Sequence, residues 1–377
     1  MSNERRITIN GNELSFEPGE TILEIARRSS IDIPTLCFLK GASPTGACRI
    51  CVVEVEGANN LLPACDTQAV DSMVVQTESS SVVDARRVIL QLLMSSGNHN
   101  CAIRGADTHS WAQFQLKVQQ EDGAAELCPV WGDCRLQDLA YRYQVSGQEF
   151  PATESRYPME SVNPFIVRDF SRCINCGRCV QACNEVQVNN AIDFGYRGSD
   201  SKIVTPGDRP LRDSDCVFCG ECVQACPVGA LVEKDARYVA RPWEIQKVRT
   251  TCTYCGVGCQ LNLNVLDGKV LKVTGVEDAA PNYGRLCVKG RFGHDFIDSS
   301  ERLTKPLIKK NGQLHEASWD EALGLVAEKM GRIKEEHGSD SIGVLTSARV
   351  SNEENYIIQK FARAVLKTNS VDHCARL

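Results

Sequence analysis

An eleven-residue cysteine pattern that occurs twice limits what this 377-residue chain can fold into. CINCGRCVQAC (173–183) and CVFCGECVQAC (216–226) share the spacing C-x2-C-x2-C-x3-C and start 43 residues apart. Thiols two or three residues apart sit badly for bridging to one another and well for gripping one object. There are twenty cysteines, in a chain long enough to build cores without staples. The N-terminus carries an Arg5–Arg6 pair, but no apolar run follows it, so no export signal is read. The expected compartment is the reducing cytoplasm, and the cysteines are read as metal ligands.

The remaining composition excludes other classes. A net charge of −6, with 42 basic and 48 acidic residues intermixed, argues against nucleic acid or a polybasic membrane surface as partner. No stretch approaches the roughly 18 to 20 apolar residues of a membrane span. Cysteine pattern divides the chain into 1–80, 81–150, 164–240, 248–304 and 305–377. The first segment alternates short apolar runs (ITI, CVVEVEG, MVVQT) with turns around one helical stretch, TILEIARRS, and predicts a small mixed sheet. The second opens on SVVDARRVILQLLMSSG, apolar at three- and four-residue spacing, and reads as helical. In the last, Ser318 and Gly338 bracket an amphipathic helix, SIGVLTS reads as a buried strand, and 352–368 as a second helix.

The repeat has the spacing of bacterial ferredoxins, in which the fourth cysteine of each run ligates the other cluster. Cys173, Cys176, Cys179 and Cys226 are expected to hold one [4Fe–4S] cluster, and Cys183, Cys216, Cys219 and Cys222 the second, with Gly177 and Gly220 leaving room. A structural zinc site asks instead for separated CxxC pairs totalling four ligands.

Further motifs carry a family resemblance. Cys37, Cys48, Cys51 and Cys65 follow C-x10-C-x2-C-x13-C; with Pro34, Gly46 and Arg49 they resemble the β-grasp [2Fe–2S] domain of the large iron–sulfur subunit of respiratory complex I. That family continues with a helical domain holding a [4Fe–4S] cluster by one His and three Cys. Cys128 and Cys134 (CPVWGDC, then RLQDLAYRY) match it, but 26 residues separate Cys101 from Cys128, and Gly97 stands where the histidine is expected. His99 is the first candidate for that ligand and His109 the second.

Cys252, Cys255, Cys259 and Cys287 (TCTYCGVGC, then GRLCVKG) resemble the N-terminal [4Fe–4S] domain of the molybdenum or tungsten bis-pterin oxidoreductases. There the lysine two residues after the last cysteine, here Lys289, lies on the electron path. SARVSNEENYIIQKFARAVLKTNSVDHCARL, with Cys374, resembles the segment of formate dehydrogenase catalytic subunits that leads to the metal. The resemblance implies a metal ligand, cysteine or selenocysteine, just after Leu377, so that a selenocysteine codon read as a stop would account for the terminus. No catalytic residue is then expected in this chain.

Together these motifs imply a multidomain α+β protein: a β-grasp [2Fe–2S] domain, a helical His/Cys3 domain, a twin [4Fe–4S] domain and the start of a bis-pterin oxidoreductase α/β domain. The implied function is the relay of a formate dehydrogenase alpha subunit with one [2Fe–2S] and four [4Fe–4S] clusters, the full-length enzyme adding a molybdenum- or tungsten-bis-pterin guanine dinucleotide. Expected partners are the remainder of that subunit and a flavin/iron–sulfur NAD-reducing subunit, or a hydrogenase or ferredoxin partner. Iron-only hydrogenase and complex I subunits share parts of the pattern, and a stand-alone electron-transfer module is the third alternative.

Overall fold

Asn10-Gly11, both at positive φ (50° and 82°), turn strand β1 (Arg5–Ile9) back onto β2 (Asn12–Phe16) as an antiparallel hairpin. The computed structural model describes residues 5–99, 128–145, 150–151 and 157–374. By contact they divide into two units, residues 1–245 and 246–377.

In the first unit, helix α1 (Ile22–Arg28) starts at Thr21 with a capping box to Glu24. Strands β3 (Val52–Val55), β4 (Leu62–Pro63) and β5 (Met73–Gln76) complete a five-stranded sheet in the order β2-β1-β5-β3-β4. β1 and β5 are parallel, the other pairs antiparallel. Ile7, Ile9, Val53 and Val75 point from the sheet into a core closed by Ile22, Leu23, Ile25 and Ala26 of α1, with Cys51 and Cys65 in the same cluster.

Helix α2 (Ser80–Ser95), capped by Ser79, buries Val82, Arg86, Leu90 and Met94, one residue per turn. It packs with α3 (Arg135–Arg142), whose Leu136, Leu139, Ala140 and Tyr141 are buried, around Leu36, Ile50 and Trp131. This core also gathers Cys48, Cys128, Cys134, Cys173 and Cys226, sulfurs of three different predicted sites.

The cysteine repeat is a structural repeat. Helix α4 (Arg178–Gln181) follows Gly177 at φ 77°, and α5 (Glu221–Ala225) follows Gly220 at φ 72°. Two residues before each glycine the backbone is again left-handed, at Asn175 (φ 51°) and Phe218 (φ 53°). Strands β6 (Ile166–Arg168) and β9 (Leu231–Glu233) pair antiparallel, as do β7 (Asp193–Gly195) and β8 (Lys202–Val204).

The second unit opens with the antiparallel sheet β10 (Gln246–Thr251), β11 (Gln260–Leu266) and β12 (Lys269–Gly275), followed by α6 (Val288–Phe292). A hairpin of β13 (Leu307–Lys310) and β14 (Gln313–Glu316) precedes α7 (Trp319–His337), which Ser318 caps and Gly338 ends at φ 84°. β15 (Val344–Thr346), α8 (Asn352–Phe361) and β16 (Val371–His373) form a parallel β-α-β unit. Two expectations need correction. The strand in SIGVLTS is not buried: Leu345 is 86% exposed, because β15 pairs with β16 alone among the described residues. The second helix is α-helical only to Phe361 and closes through a π-turn, Ala362–Leu366. Among the described residues no helix is long and apolar enough to cross a membrane.

Candidate metal centres

The turns before and after β3 bring Cys37, Cys48, Cys51 and Cys65 together. Hydrogen bonds from Cys48 and Cys65 hold the Cys37 thiol well below its ordinary range, and Thr45 adds a third donor. A hydrogen bond from Cys65 lowers Cys51 to about 7, while Cys48 and Cys65, as the donors, are pushed up. Arg49 and Gly46 occupy left-handed backbone (φ 58° and 57°), and the amides of Ile50 and Leu36 donate to Cys48 sulfur. These hydrogen bonds favour negative charge on the Cys37 and Cys51 sulfurs and oppose it on Cys48 and Cys65.

Cys173, Cys176 and Cys179 of the first repeat line one cavity with Cys226 of the second. Cys222 also reaches it, and the other walls are mostly apolar, including Phe170, Ile192, Ile203, Leu211 and Val228. Burial pushes Cys173 up to about 11 and Cys176 to about 12, and raises Cys179 and Cys226 as well, so metal must displace protons here. Across the repeat, Cys216 lies in the field of Cys219 and Cys183, its sulfur accepts from the Phe218 amide (3.4 Å), and Cys183 sulfur accepts from the Ala191 amide (3.4 Å). Gly177 has a second use besides its φ: a Cβ there would stand 3.2 Å from the Phe194 ring.

A third cavity joins His99, Cys128 and Cys134, with Trp131, Gln137 and Arg172. His99 is 6% exposed and its Nε2 has no hydrogen-bond partner. Burial, and then the Arg172 charge, push the imidazole down to about 4, so it is neutral and able to donate a lone pair at neutral pH. Cys101 and His109 lie outside the described residues. Val228 lines both this cavity and that of Cys173.

In the second unit the amide of Cys252 donates to the Cys259 carbonyl (2.8 Å), closing the loop that presents Cys255. Burial raises Cys252, and the charges of Cys287, Cys255 and Lys289 all reach it. Lys289 is exposed, on α6 just after Cys287. A Cβ at Gly256 would meet Asn352 Oδ1 at 2.8 Å, so the first residue of α8 presses on the cysteine loop. Cys374 is exposed, with Ser347 Oγ 3.5 Å from its sulfur. Among the described residues no three His, Cys, Asp or Glu side chains converge on one point. A polynuclear cluster spreads its ligands over several ångström, so the fit is judged by what lines the cavities.

Sequence reading missed the buried cations around these sites. Arg86, fully buried, donates to the carbonyls of Ile50 (3.0 Å) and Val52 (2.9 Å) and to the Tyr143 hydroxyl. Its signal was present as a charge inside the apolar stripe of α2. Arg168, beside Cys173's cavity, is gripped by both carboxylate oxygens of Glu160 (3.2 and 2.6 Å).

Comparison with known proteins covers the same segments. Residues 2–80 match the model of a 2Fe-2S iron-sulfur cluster binding domain, 172–230 a 4Fe-4S dicluster domain, 245–299 a molybdopterin oxidoreductase Fe4S4 domain and 302–377 molybdopterin oxidoreductase. Relatives include the NADPH-Fe(3+) oxidoreductase subunit alpha of Geobacter sulfurreducens (36% identical, covering 98% of this chain and 40% of that one). A putative formate dehydrogenase of Bacillus subtilis is 33% identical, covering 98% and 39%. An NADH-quinone oxidoreductase subunit of Rhizobium meliloti is 35% identical, covering 98% and 40%. The chain thus spans about 40% of the length of these relatives. Among solved structures, an NAD+-reducing [NiFe]-hydrogenase matches with a TM-score of 0.53 and 29% identity, over 63% of this chain and 91% of that one.

Proposed function

We propose that this chain, a member of the molybdopterin oxidoreductase iron–sulfur family, is the electron-relay portion of a formate dehydrogenase-type catalytic subunit. The observation that carries the reading is the apolar cavity in which Cys226 of one repeat joins Cys173, Cys176 and Cys179 of the other. Four of its five cysteines, set among mostly apolar walls, suit a cubane. On this reading Cys37, Cys48, Cys51 and Cys65 hold a [2Fe–2S] cluster. Four [4Fe–4S] clusters are held by Cys173/176/179/226, by Cys183/216/219/222, by Cys252/255/259/287, and by Cys101, Cys128 and Cys134 with His99. The orphaned, neutral Nε2 of His99 in a cavity with two cysteines supports its place in the last set.

Bound, the clusters supply one-electron redox chemistry, and a molybdenum or tungsten bis-pterin guanine dinucleotide would supply the two-electron oxidation of formate to CO2. The chain's residues do the rest. Backbone amides of Leu36, Ile50, Phe218 and Ala191 donate to ligand sulfurs and favour their charged form. Apolar walls exclude water. Lys289 sets a positive charge beside Cys252, which favours electron entry there. Electrons would leave through a flavin/iron–sulfur NAD-reducing subunit, or a hydrogenase or ferredoxin partner. The likeness to an NAD+-reducing [NiFe]-hydrogenase, at 29% identity, supports a partner of this kind.

The names of the Geobacter and Rhizobium relatives favour a second reading, in which a nicotinamide cofactor feeds the relay through a partner. The test has two stages. Anaerobic reconstitution of the chain should yield about 18 irons, and Cys226→Ser should remove the cluster of the first repeat, not that of its own. In the complete complex, formate should then reduce the clusters. Reduction by NADPH or NADH with none by formate would transfer the chain to the second reading.

A further inference from the structure

No cysteine or histidine lines the cleft between helix α3 and residues 32–35, so it is not one of the metal sites described above. It encloses about 450 Å3, the size of a small-molecule site. Arg135, Asp138, Leu139 and Arg142 recur at three- and four-residue spacing and present one face of α3 to it, with Pro34 and Thr35 on the facing wall. The polar groups are used unequally. Arg142 is taken, since it donates to the carboxylates of Asp32 and Glu78. Thr35 accepts from Arg27 (3.0 Å), which leaves its own hydroxyl proton to donate. Arg135 and Asp138, three residues apart on the helix, are neighbours of opposite charge that ordinarily pair. Here both line the cleft with no side-chain hydrogen bond or ion pair to each other or to any other described residue. Burial, and then Asp133, raise the Asp138 carboxyl although Arg135 pulls it down, so the nearest cation does not satisfy it.

We propose that this cleft is a binding site for a small zwitterion that carries a carboxylate and an amine, as an amino acid does. A carboxylate matches the planar fork of Arg135, and the Thr35 hydroxyl adds a donor beside it. An amine donates to Asp138 and gives that carboxylate the partner the protein withholds. The aliphatic span between the two ends lies against Leu139 and Pro34. What selects the ligand is this pair of groups on one helix face, not the net charge of the surroundings. A simple anion or a simple amine meets half of the site and leaves the other half as it was.

The test is equilibrium dialysis of the reconstituted 377-residue chain against radiolabelled glycine, β-alanine and γ-aminobutyrate, whose charges stand progressively further apart. Acetate and ethylamine serve as half-ligands. At least one zwitterion should bind saturably at a single site, and each half-ligand about tenfold more weakly or worse. Arg135→Gln and Asp138→Asn should each weaken that binding about tenfold, with iron content and far-ultraviolet circular dichroism as in wild type. Arg135→Lys, which keeps the charge and loses the fork, should recover only part. Asp138→Asn, expected to be no less stable than wild type, keeps the test open should Arg135→Gln misfold. No saturable binding of any zwitterion, half-ligands that bind as tightly, or binding unchanged in Asp138→Asn would overturn the proposal.

Discussion

Arg86 Nη1 donates to the Tyr143 hydroxyl at 2.7 Å, tying helix α2 to the residue that ends α3. The same guanidinium holds the Ile50 and Val52 carbonyls on either side of Cys51, so one side chain fixes both the second cysteine loop and the helix pair behind it. Glu78 accepts from both Arg86 (2.8 Å) and the Tyr143 hydroxyl (3.0 Å).

Arg86→Met is expected to leave two buried carbonyls and a hydroxyl without their donor. The loss should be about 3 kcal/mol or more of unfolding free energy. Denaturant unfolding measures it, and the visible circular dichroism of the [2Fe–2S] centre should weaken in parallel. Arg86→Lys, unable to reach all three acceptors at once, should recover only part.

Replacing His99 separates ligand from bystander. His99→Ala should lose about four irons, while His109→Ala should lose none. His99→Cys should keep the iron and lower that cluster's midpoint, because a thiolate brings a negative charge that neutral imidazole lacks. Full iron in His99→Ala would remove it from the ligand set.

Gly177→Ala combines two penalties, a left-handed φ of 77° and a Cβ 3.2 Å from the Phe194 ring. The expected destabilisation is about 1–2 kcal/mol by thermal unfolding. The double variant with Phe194→Ala should regain the steric part alone.

Asp138 gives a pH dependence. Burial, and then the Asp133 charge, raise its carboxyl to about 6. Between its unfolded value and about 6 the native state binds the extra proton, so this group's contribution is most favourable in acid and is lost as pH rises through that window. Asp138→Asn should flatten that slope and be more stable than wild type at pH 7, by about 1 kcal/mol with its partial exposure allowed for. A steeper slope in the variant would contradict the assignment.

Much of this was legible in the residues. The hairpin, α1, α2, the Ser318 cap and the Gly338 stop follow from turn chemistry, capping and periodicity, which act within a few residues. The crossing of Cys226 into the first cavity was legible because the spacing of the repeat encodes it. What was not legible depends on three-dimensional neighbours. Leu345 looks like a core residue by composition, yet its exposure is decided by which strands flank β15. Arg86 looks like a surface charge until Ile50, Val52 and Tyr143 are brought around it from 34 to 57 residues away. The shared wall at Val228 needed the turn after Cys226 to be folded against Cys128's loop, where a Cβ on Gly229 would stand 2.8 Å from Val130.

That wall bears on how the relay can be rewired. Because Val228 lines both cavities, a substitution there bears on the two at once, and neither can be altered at that position in isolation. The partition between the two cavities is built jointly by the short stretch trailing the second repeat and by the Cys128 loop packed against it, so grafting the repeat alone into another scaffold would leave that partition behind.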